Sequence, residues 1–393
     1  MVQAFSPSCR RGARQAVWLS AAHFPTMPPF AARFLNFTMN VSSTVSFAKQ
    51  QLIYLLYGER RIYQLEAKLS ILTALARNKP GELPTIRVLT DQPQAFDGWP
   101  VEVITLEAEQ LQAWSGDGGY IHRRKACAIA HAAPWAEKTI FIDTDTVFLQ
   151  SPMQLFQQVD ARQFLVDEIE MSWLEASRAN YYASFTQALT DCGDAPASDL
   201  RLCNSGVLGF SLENAGIAER AVHRIDAWTP YAATLHTIEQ IAFSFELHGR
   251  QINQARGVIS HYFAMKPFIH AVLEVFFARY GDRFDARMLE LALQVPVQRP
   301  EPSWFDRLIA KWSLKRLPPE MRGIGRKLLY GSFIGNDEYQ QACKVIWWRS
   351  AVEDMRRLGG CDWSTGWPRG LPRLPETDEQ VVMAMARESL EVC

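Results

Sequence analysis

Residues 138–149 read KTIFIDTDTVFL, an apolar run that ends in two aspartates, Asp143 and Asp145, one residue apart. Side chains two positions apart on an extended chain point the same way. If Lys138–Ile142 forms a buried strand, both carboxylates therefore lie at its carboxyl end. The alternative is a charged exit from a strand with no chemistry, but the strand-like residues before the pair and the apolar Val147–Leu149 after it favour a site.

The two carboxylates indicate a divalent metal. Hard oxygen ligands suit Mn²⁺ or Mg²⁺, and neither ion needs a cage made wholly of protein when a substrate diphosphate is bound beside it. We therefore expect Mn²⁺ or Mg²⁺ as the cofactor at Asp143 and Asp145.

Strand and helix patterns alternate along the chain from about residue 50. Such alternation predicts an α/β fold with a doubly wound, mainly parallel sheet. Ligands bind such sheets at the carboxyl ends of the strands, which is where the two aspartates would lie. Residues 170–200 have no regular pattern, and we expect them to be irregular and to cover a site. The predicted strands are Gln51–Tyr57, Thr85–Thr90, Val101–Leu106, Lys138–Ile142, Gln163–Val166, Cys203–Phe210 and Val258–Phe263, and the predicted helices are Tyr63–Asn78, Tyr120–Ala133, Ser151–Gln157, Asn214–Trp228 and Thr237–Leu247.

Composition narrows the class of protein. The chain has 393 residues, 48% of them apolar and 21% charged, which is enough apolar material for a sizeable core. A formal charge of −1 gives no general reason to expect nucleic acid as a partner. The seven cysteines are odd in number and form no C-x-x-C pair, which argues against a disulfide framework or a zinc site and fits a reducing, cytoplasmic location. No apolar run is long enough to predict a transmembrane helix.

The chain divides into three regions by composition. Residues 1–38 contain arginine and proline but no acid, so they are either an Arg-rich targeting peptide or an extension upstream of a start at Met27 or Met39. Residues 48–285 carry the α/β pattern and are predicted to form the main domain. Residues 286–393 are predicted to be mostly helical, basic and aromatic.

The C-terminal region combines tryptophan with basic residues. Six of the twelve tryptophans lie between residues 301 and 370, and Trp304–Tyr330 holds seven Lys or Arg residues against Asp306 and Glu320. One interpretation is peripheral contact with the inner face of an anionic membrane, with basic groups at lipid phosphates and aromatic rings at the interface. The other is a helical appendage that packs its tryptophans on the main domain.

The order of the motifs resembles that of the GT-A-fold glycosyltransferases, and within them the family 8 enzymes, which include glycogenin and bacterial lipopolysaccharide galactosyltransferases. Four matches carry the resemblance, which spans about residues 50–268. They are the strand with its D-x-D at 140–145, the basic pair Arg124 and Lys125 on an upstream helix, the segment NSGVLGF at 204–210, and HYFAMKPF at 261–268.

The resemblance implies a nucleotide-diphosphate sugar donor, most simply a UDP-sugar, and a hexose transferred with retention to a glycan, lipid or protein acceptor. It implies His261 as the third metal ligand beside Asp143 and Asp145. It places Glu239, Gln240 and Asp167 near the sugar, where Gln240 is an uncharged group that could steady an oxocarbenium-like state. An inverting enzyme would instead need a general base, for which Glu239 or Asp167 is available. The implied donor-binding residues are Arg124, Lys125, Thr144, Asn204, Ser205, Gly206 and Lys266.

Two other classes of protein remain open on the sequence. One is a nucleotidyltransferase, which would be expected to carry a Gly-rich phosphate loop after the first strand, where this chain has Tyr57-Gly58-Glu59-Arg60. The other is a non-catalytic protein that binds a nucleotide sugar on the same α/β scaffold. Metal-dependent turnover of a nucleotide sugar distinguishes both from a glycosyltransferase.

Overall fold

The computed structural model describes residues 45–79, 81–191, 193–231, 235–335, 337–359 and 366–388. The predicted leader at residues 1–38 lies outside them. The strands are β1 (Ala48–Leu56), β2 (Thr85–Thr90), β3 (Glu102–Thr105), β4 (Ala136–Ile142), β5 (Thr146–Phe148), β6 (Gln163–Val166), β7 (Ile169–Ser172), β8 (Arg201–Cys203), β9 (Val207–Ser211), β10 (Gln251–Gln254) and β11 (Ile259–His261). The helices are α1 (Arg61–Ala76), α2 (Ala108–Ser115), α3 (Arg123–Ala132), α4 (Met153–Phe156), α5 (Trp173–Ala176), α6 (Asn180–Asp191), α7 (Gly216–Trp228), α8 (Ile238–Glu246), α9 (Lys266–Tyr280), α10 (Met288–Ala292), α11 (Trp304–Leu314), α12 (Pro319–Phe333), α13 (Glu338–Arg357) and α14 (Glu376–Glu388).

The centre of the fold is a mostly parallel sheet. Within the described residues, seven strands pair in the order β10-β6-β9-β4-β1-β2-β3. Strand β9 runs antiparallel to both of its neighbours, whereas the β1–β2, β1–β4, β2–β3 and β6–β10 pairs are parallel. This order, with one reversed strand beside the central strand β4, is the arrangement of the GT-A fold. The predicted fold class is therefore confirmed.

Alternating side chains of the central strands supply two cores. Leu52 and Tyr54 of β1 belong to the core on one face of the sheet, with α1 and α9, whereas Ile53 belongs to the core on the other face, with α3, α7 and α8. Strand β4 does the same, because Ile140 lies on the first face and Phe141 on the second. Successive side chains of a strand point to opposite faces of the sheet. Because both faces are covered here, apolar residues occupy successive positions and the strand appears in the sequence as a continuous apolar run.

The described residues after 285 are mostly helical, which agrees with the helical C-terminal region of the predicted fold class. Helix α13 packs on α9, where the ring centres of Trp347 (α13) and Phe268 (α9) lie 5.0 Å apart. Helices α11, α12, α13 and α14 share a separate small core around Leu328. No helix among the described residues combines the length and apolar character needed to cross a bilayer.

Two sequence-based expectations about the segment after β6 were wrong. Residues 170–200 are not irregular, since they contain most of β7 together with α5 and α6. Helix α5 starts at a capping box in which Ser172 and Glu175 bond each other's backbone, a signal that the pattern analysis missed. The strand expected at Cys203–Phe210 is interrupted, because Asn204-Ser205-Gly206 form a turn between β8 and β9.

Candidate active site

Asp143, Asp145 and His261 meet at the carboxyl end of β4. Asp143 follows the last residue of β4, and β5 begins directly after Asp145. Strand β11 pairs antiparallel with β5 so that His261 lies opposite Thr146, and the Tyr262 backbone N–H donates to the Asp145 carbonyl at 3.0 Å. One ligand atom from each of the three side chains lies within 4.8 Å of the others. The register of a short ladder thus joins residues that are more than a hundred positions apart.

The His261 ring is held between two carboxylates. Its Nδ1 lies 2.6 Å from Asp167 Oδ2, and its Nε2 lies 3.2 Å from Asp145 Oδ2. Burial opposes a charge on this ring, but the hydrogen bonds to Asp145 and Asp167 outweigh it and raise the pKa of His261 to about 10. Asp167 therefore fixes the orientation of the imidazole and leaves Nε2 pointing at the D-x-D.

These three side chains are chemically suited to a divalent metal. Two carboxylates and one imidazole form a donor set that accepts Mn²⁺ or Mg²⁺. A metal-binding histidine usually donates its other ring N–H to a carboxylate, which is the relation of His261 Nδ1 to Asp167. The donor types and their convergence fit the predicted ion.

Lys125 contacts the first aspartate of the pair. It lies in the first turn of α3, with Nζ 3.0 Å from Asp143 Oδ2 and 3.3 Å from Glu239 Oε1. It also donates to Ser205 Oγ at 3.2 Å, and Ser205 donates to Glu239 Oε1 at 2.6 Å. Burial opposes the charge on Lys125, yet Asp143 and Glu239 together raise its pKa above the usual value. The sequence pointed to Arg124 or Lys125, and Lys125 is the one that reaches Asp143.

Arg124 has a different environment from Lys125. Its Nε donates to Ser115 Oγ at 2.8 Å, and its guanidinium lies 4.7 Å from the centre of the Tyr57 ring. Tyr57 follows β1 directly, so both side chains lie at the carboxyl edge of the sheet, one strand away from the D-x-D. A cation stacked on an aromatic ring there presents a flat polar surface of the kind that contacts a nucleotide.

Lys266 contacts the second aspartate of the pair. It is the first residue of α9, and its Nζ lies 3.0 Å from Asp145 Oδ2. Burial would raise the pKa of Asp145, but His261 and Lys266 together hold it well below its usual range. Asp143 behaves in the opposite way, because burial raises its pKa despite Lys125. The two aspartates of the D-x-D therefore differ electrostatically, Asp145 being firmly ionised.

Gly206 leaves room for the histidine. A methyl group added at Gly206 would lie 2.5 Å from His261 Nδ1, closer than real contacts allow. The Gly206 carbonyl also accepts from the Asp143 backbone N–H at 2.7 Å, and its N–H donates to Asn204 Oδ1 at 2.9 Å. The resemblance implied that Gly206 binds the donor, and the structure places the His261 ring against this glycine.

Glu170 is a polar residue that the sequence analysis missed. It is exposed on β7, and its two oxygens accept from Asn204 Nδ2 and from Gln240 Nε2, each at 3.0 Å. Asn204 and Gln240, both predicted to face the sugar, are thus joined through one carboxylate. The period-2 spacing of Glu168 and Glu170 after Val166 was the available signal, but the sequence predicts an irregular segment from residue 170 onward.

Glu66 is a second residue that was missed. It is fully buried in α1 and accepts from Thr144 Oγ1 at 2.8 Å, while its other oxygen lies 2.6 Å from His270 Nε2. Thr144 is the middle residue of the D-x-D, and His270 lies in the second turn of α9, one turn beyond Lys266. The predicted donor-binding Thr144 is therefore anchored to a buried acid, whose position beside the apolar stripe of α1 was its only sign in the sequence.

Phe263 is an aromatic residue exposed beside the histidine. It lies in the short 3₁₀ helix Phe263–Met265, between His261 and Lys266. Its ring centre is 5.1 Å from that of His261, and the residue is 51% exposed. An open aromatic face next to candidate metal ligands is a suitable stacking surface for a sugar ring.

Comparison with known proteins adds only distant structural similarities. No family model matches the sequence, and no curated protein matches it. Among solved structures, the chain is similar to mouse xyloside xylosyltransferase 1 in its apo form, with 14% identity and a TM-score of 0.35 over 52% of this chain and 84% of that one. It is also similar to the apo bifunctional glycosyltransferase WbbM, with 9% identity and a TM-score of 0.35 over 54% of this chain and 39% of that one. The assignment of the fold rests on the sheet topology and not on these values.

Proposed function

We propose that the protein is a metal-dependent glycosyltransferase that moves a hexose from a nucleotide-diphosphate sugar to an acceptor. The observation that carries the proposal is the convergence of Asp143, Asp145 and His261 at the carboxyl end of β4, between Lys125 and Lys266. We assign the site to the domain at residues 48–285, in the cytoplasm, with Mn²⁺ or Mg²⁺ as cofactor and a UDP-sugar as donor. A family 8 type of enzyme fits this site.

The arrangement of charge suits departure of a nucleoside diphosphate. Breaking the glycosidic bond leaves negative charge on the diphosphate, which a bound divalent ion and fixed cations stabilise. Asp143, Asp145 and His261 would hold the ion. Lys266, at the first residue of α9, offers an ammonium group beside the helix N-terminal amides, which also favour an anion. Lys125 keeps Asp143 and Glu239 in place.

Retention of configuration agrees best with the side chains that face the site. The two acids that an inverting reaction would use as general base are both engaged, Asp167 with His261 and Glu239 with Lys125 and Ser205. Gln240 is uncharged and lies near the exposed carboxylate of Glu170. Attack by the acceptor hydroxyl on the donor's own face needs no enzymic nucleophile, and Gln240 and Asn204 contact the sugar hydroxyls.

Glu170 supports a second candidate, an inverting transferase. It is the carboxylate at the site that is exposed and bonded only to neutral amides in the described contacts. The configuration of the product, determined by NMR with the natural acceptor or with water as a substitute, decides between the two. An inverted product whose formation is lost in Glu170→Gln establishes Glu170 as the base.

Turnover of nucleotide sugars tests the proposal directly. A panel of UDP-, GDP- and ADP-sugars is incubated with Mn²⁺, with Mg²⁺ or with EDTA, and release of the nucleoside diphosphate is measured. Activity is expected with one donor, requires the metal, and disappears in Asp143→Asn. Binding is measured separately, since UDP with Mn²⁺ should raise the melting temperature if both bind the native state. Stabilisation without turnover would indicate a non-catalytic nucleotide-sugar-binding protein. Formation of a nucleoside triphosphate and a sugar 1-phosphate, in a parallel assay that supplies pyrophosphate with the nucleotide sugar, would indicate a nucleotidyltransferase.

A further inference from the structure

Helix α11 has two apolar faces. Ala310 and Leu314 are buried in the C-terminal helical core, which explains why the helix packs there. At about 100° per residue, the helix places a second set of apolar side chains over an arc of about 140° on the opposite side. That outward set consists of Trp304 (71% exposed), Phe305 (56%), Leu308 (43%), Ile309 (40%) and Trp312 (65%).

The outward face is more apolar than a solvated helix surface requires. Single exposed apolar residues are ordinary, whereas a contiguous patch that includes two tryptophans usually marks an interaction site. Within the part of the chain that the structure describes, the face is open to solvent. Trp347 and Trp348 of α13 behave differently, since both are buried.

Basic residues border this face. Lys311 and Lys315 are exposed on the same side as Trp304, and the Lys315 ammonium lies 4.3 Å from the centre of the Trp312 ring. Arg322 of α12 bonds the Leu317 carbonyl at 3.1 Å, which brings another cation to the end of α11. From residue 304 to residue 322 there are five basic residues and two acids.

We infer that the outward face of α11 binds an anionic membrane surface. Tryptophan rings and aliphatic side chains suit the boundary between headgroups and acyl chains, while lysine and arginine beside them suit lipid phosphates. The excess of basic residues is what favours anionic lipid over a second copy of this chain. This inference goes beyond the proposed function, because it assigns a surface and a lipid class and needs no donor, acceptor or metal.

Vesicle binding by the full chain tests the inference. The probes are vesicles of phosphatidylcholine alone and vesicles that also contain phosphatidylglycerol, without nucleotide or metal. We expect co-sedimentation only with the anionic vesicles, reversal at high salt, and a blue shift of tryptophan emission on binding. Salt sensitivity follows from a Debye length of about 8 Å at physiological ionic strength.

Matched variants locate the surface. Lys311→Gln/Lys315→Gln should weaken binding about 25-fold, since each basic residue near an anionic surface contributes roughly fivefold. Trp304→Ser/Trp312→Ser should abolish the blue shift and weaken binding to the anionic vesicles. Arg162→Gln/Arg250→Gln, which changes two exposed arginines of the α/β domain, should bind like the wild type. Asp143→Asn should also bind like the wild type, so the result is independent of whether the protein is a glycosyltransferase.

Several results would overturn the inference. If the wild type, Lys311→Gln/Lys315→Gln and Trp304→Ser/Trp312→Ser all bound equally, the membrane contact would lie elsewhere on the protein. If the wild type did not bind anionic vesicles, the inference of membrane binding would be wrong. Light scattering is measured in parallel. The wild type could instead form a dimer and not bind vesicles. If Trp304→Ser/Trp312→Ser were then monomeric, this face would be an interface between two copies of the chain.

Discussion

Asp167 Oδ2 lies 2.6 Å from Nδ1 of His261, and this contact leaves Nε2 of the same ring directed at Asp145. The contact is made between residues at the ends of two different strands, β6 and β11. It gives Asp167 a role other than the sugar contact or general base suggested by the sequence. We interpret Asp167 as a positioning residue for a metal-binding histidine.

The first prediction tests this role through metal affinity. Asp167→Asn keeps the shape of the side chain but removes the charge that orients the ring. Loss of such an outer partner typically weakens metal binding about 10- to 100-fold. Titration calorimetry with Mn²⁺ alone is the measurement, and Asp199→Asn, an exposed aspartate, is the control. Unchanged Mn²⁺ affinity in Asp167→Asn would return Asp167 to a role at the sugar.

The second prediction concerns Gly206. In Gly206→Ala the new methyl group would lie 2.5 Å from His261 Nδ1, so the ring must move and its bond to Asp167 must weaken. We expect loss of metal-dependent turnover and weaker Mn²⁺ binding, while the circular dichroism spectrum stays native. Gly323→Ala is a matched control, because that glycine is helical with nothing within 4 Å of the added atom. There alanine should stabilise the helix by about 1 kcal/mol. A fully active Gly206→Ala would show that the ring is not confined.

The third prediction separates the two aspartates by stability. Both Asp143→Asn and Asp145→Asn should abolish metal-dependent turnover. Their melting temperatures should differ, because the pKa of Asp143 is raised by burial, whereas that of Asp145 is lowered by His261 and Lys266 despite burial. A lowered carboxyl pKa means stability that is present above the ordinary value of about 3.9 and lost as the pH falls through the lowered one.

At neutral pH, Asp145→Asn should therefore lower the melting temperature, by roughly 2–4 °C for each kcal/mol lost. Asp143→Asn should leave it unchanged or raise it, since Lys125 retains Glu239 as a partner. Calorimetry without metal is the measurement. Equal destabilisation by both substitutions would contradict the electrostatic difference between them.

The parts of this molecule that the sequence predicted are those governed by local periodicity. The apolar run before Asp143 fixed β4, and the one-residue spacing of Asp143 and Asp145 placed both at its end. The position of His261 came from the order of motifs, because no local pattern links it to β4. His261 lies opposite Thr146 because of the register between β5 and β11. That register depends on pairing between segments more than a hundred residues apart.

The residues that were missed depend on such long-range contacts. Glu66 is an ordinary helical glutamate until α1 packs over the D-x-D loop and α9 supplies His270. Glu170 acquires its partners only when the β8–β9 turn and α8 meet it. The sequence also did not predict which tryptophans are buried. Trp304 and Trp312 are exposed whereas Trp347 and Trp348 are buried, and helical spacing alone does not say which apolar face packs inward.

The last prediction concerns donor binding by Lys266. Its side chain is 36% exposed at the start of α9, so it can be replaced without leaving a fully buried charge alone, unlike Lys125. In Lys266→Met the donor diphosphate loses a charge-assisted contact, and nucleotide affinity should fall about tenfold at least. Binding of UDP is measured by calorimetry with and without Mn²⁺, and Lys266→Arg should restore part of the affinity because it keeps the charge. Lys79→Met, at an exposed lysine after α1 and so at the opposite edge of the sheet, is the control. If Lys266→Met binds UDP like the wild type in both conditions, Lys266 serves only to neutralise Asp145.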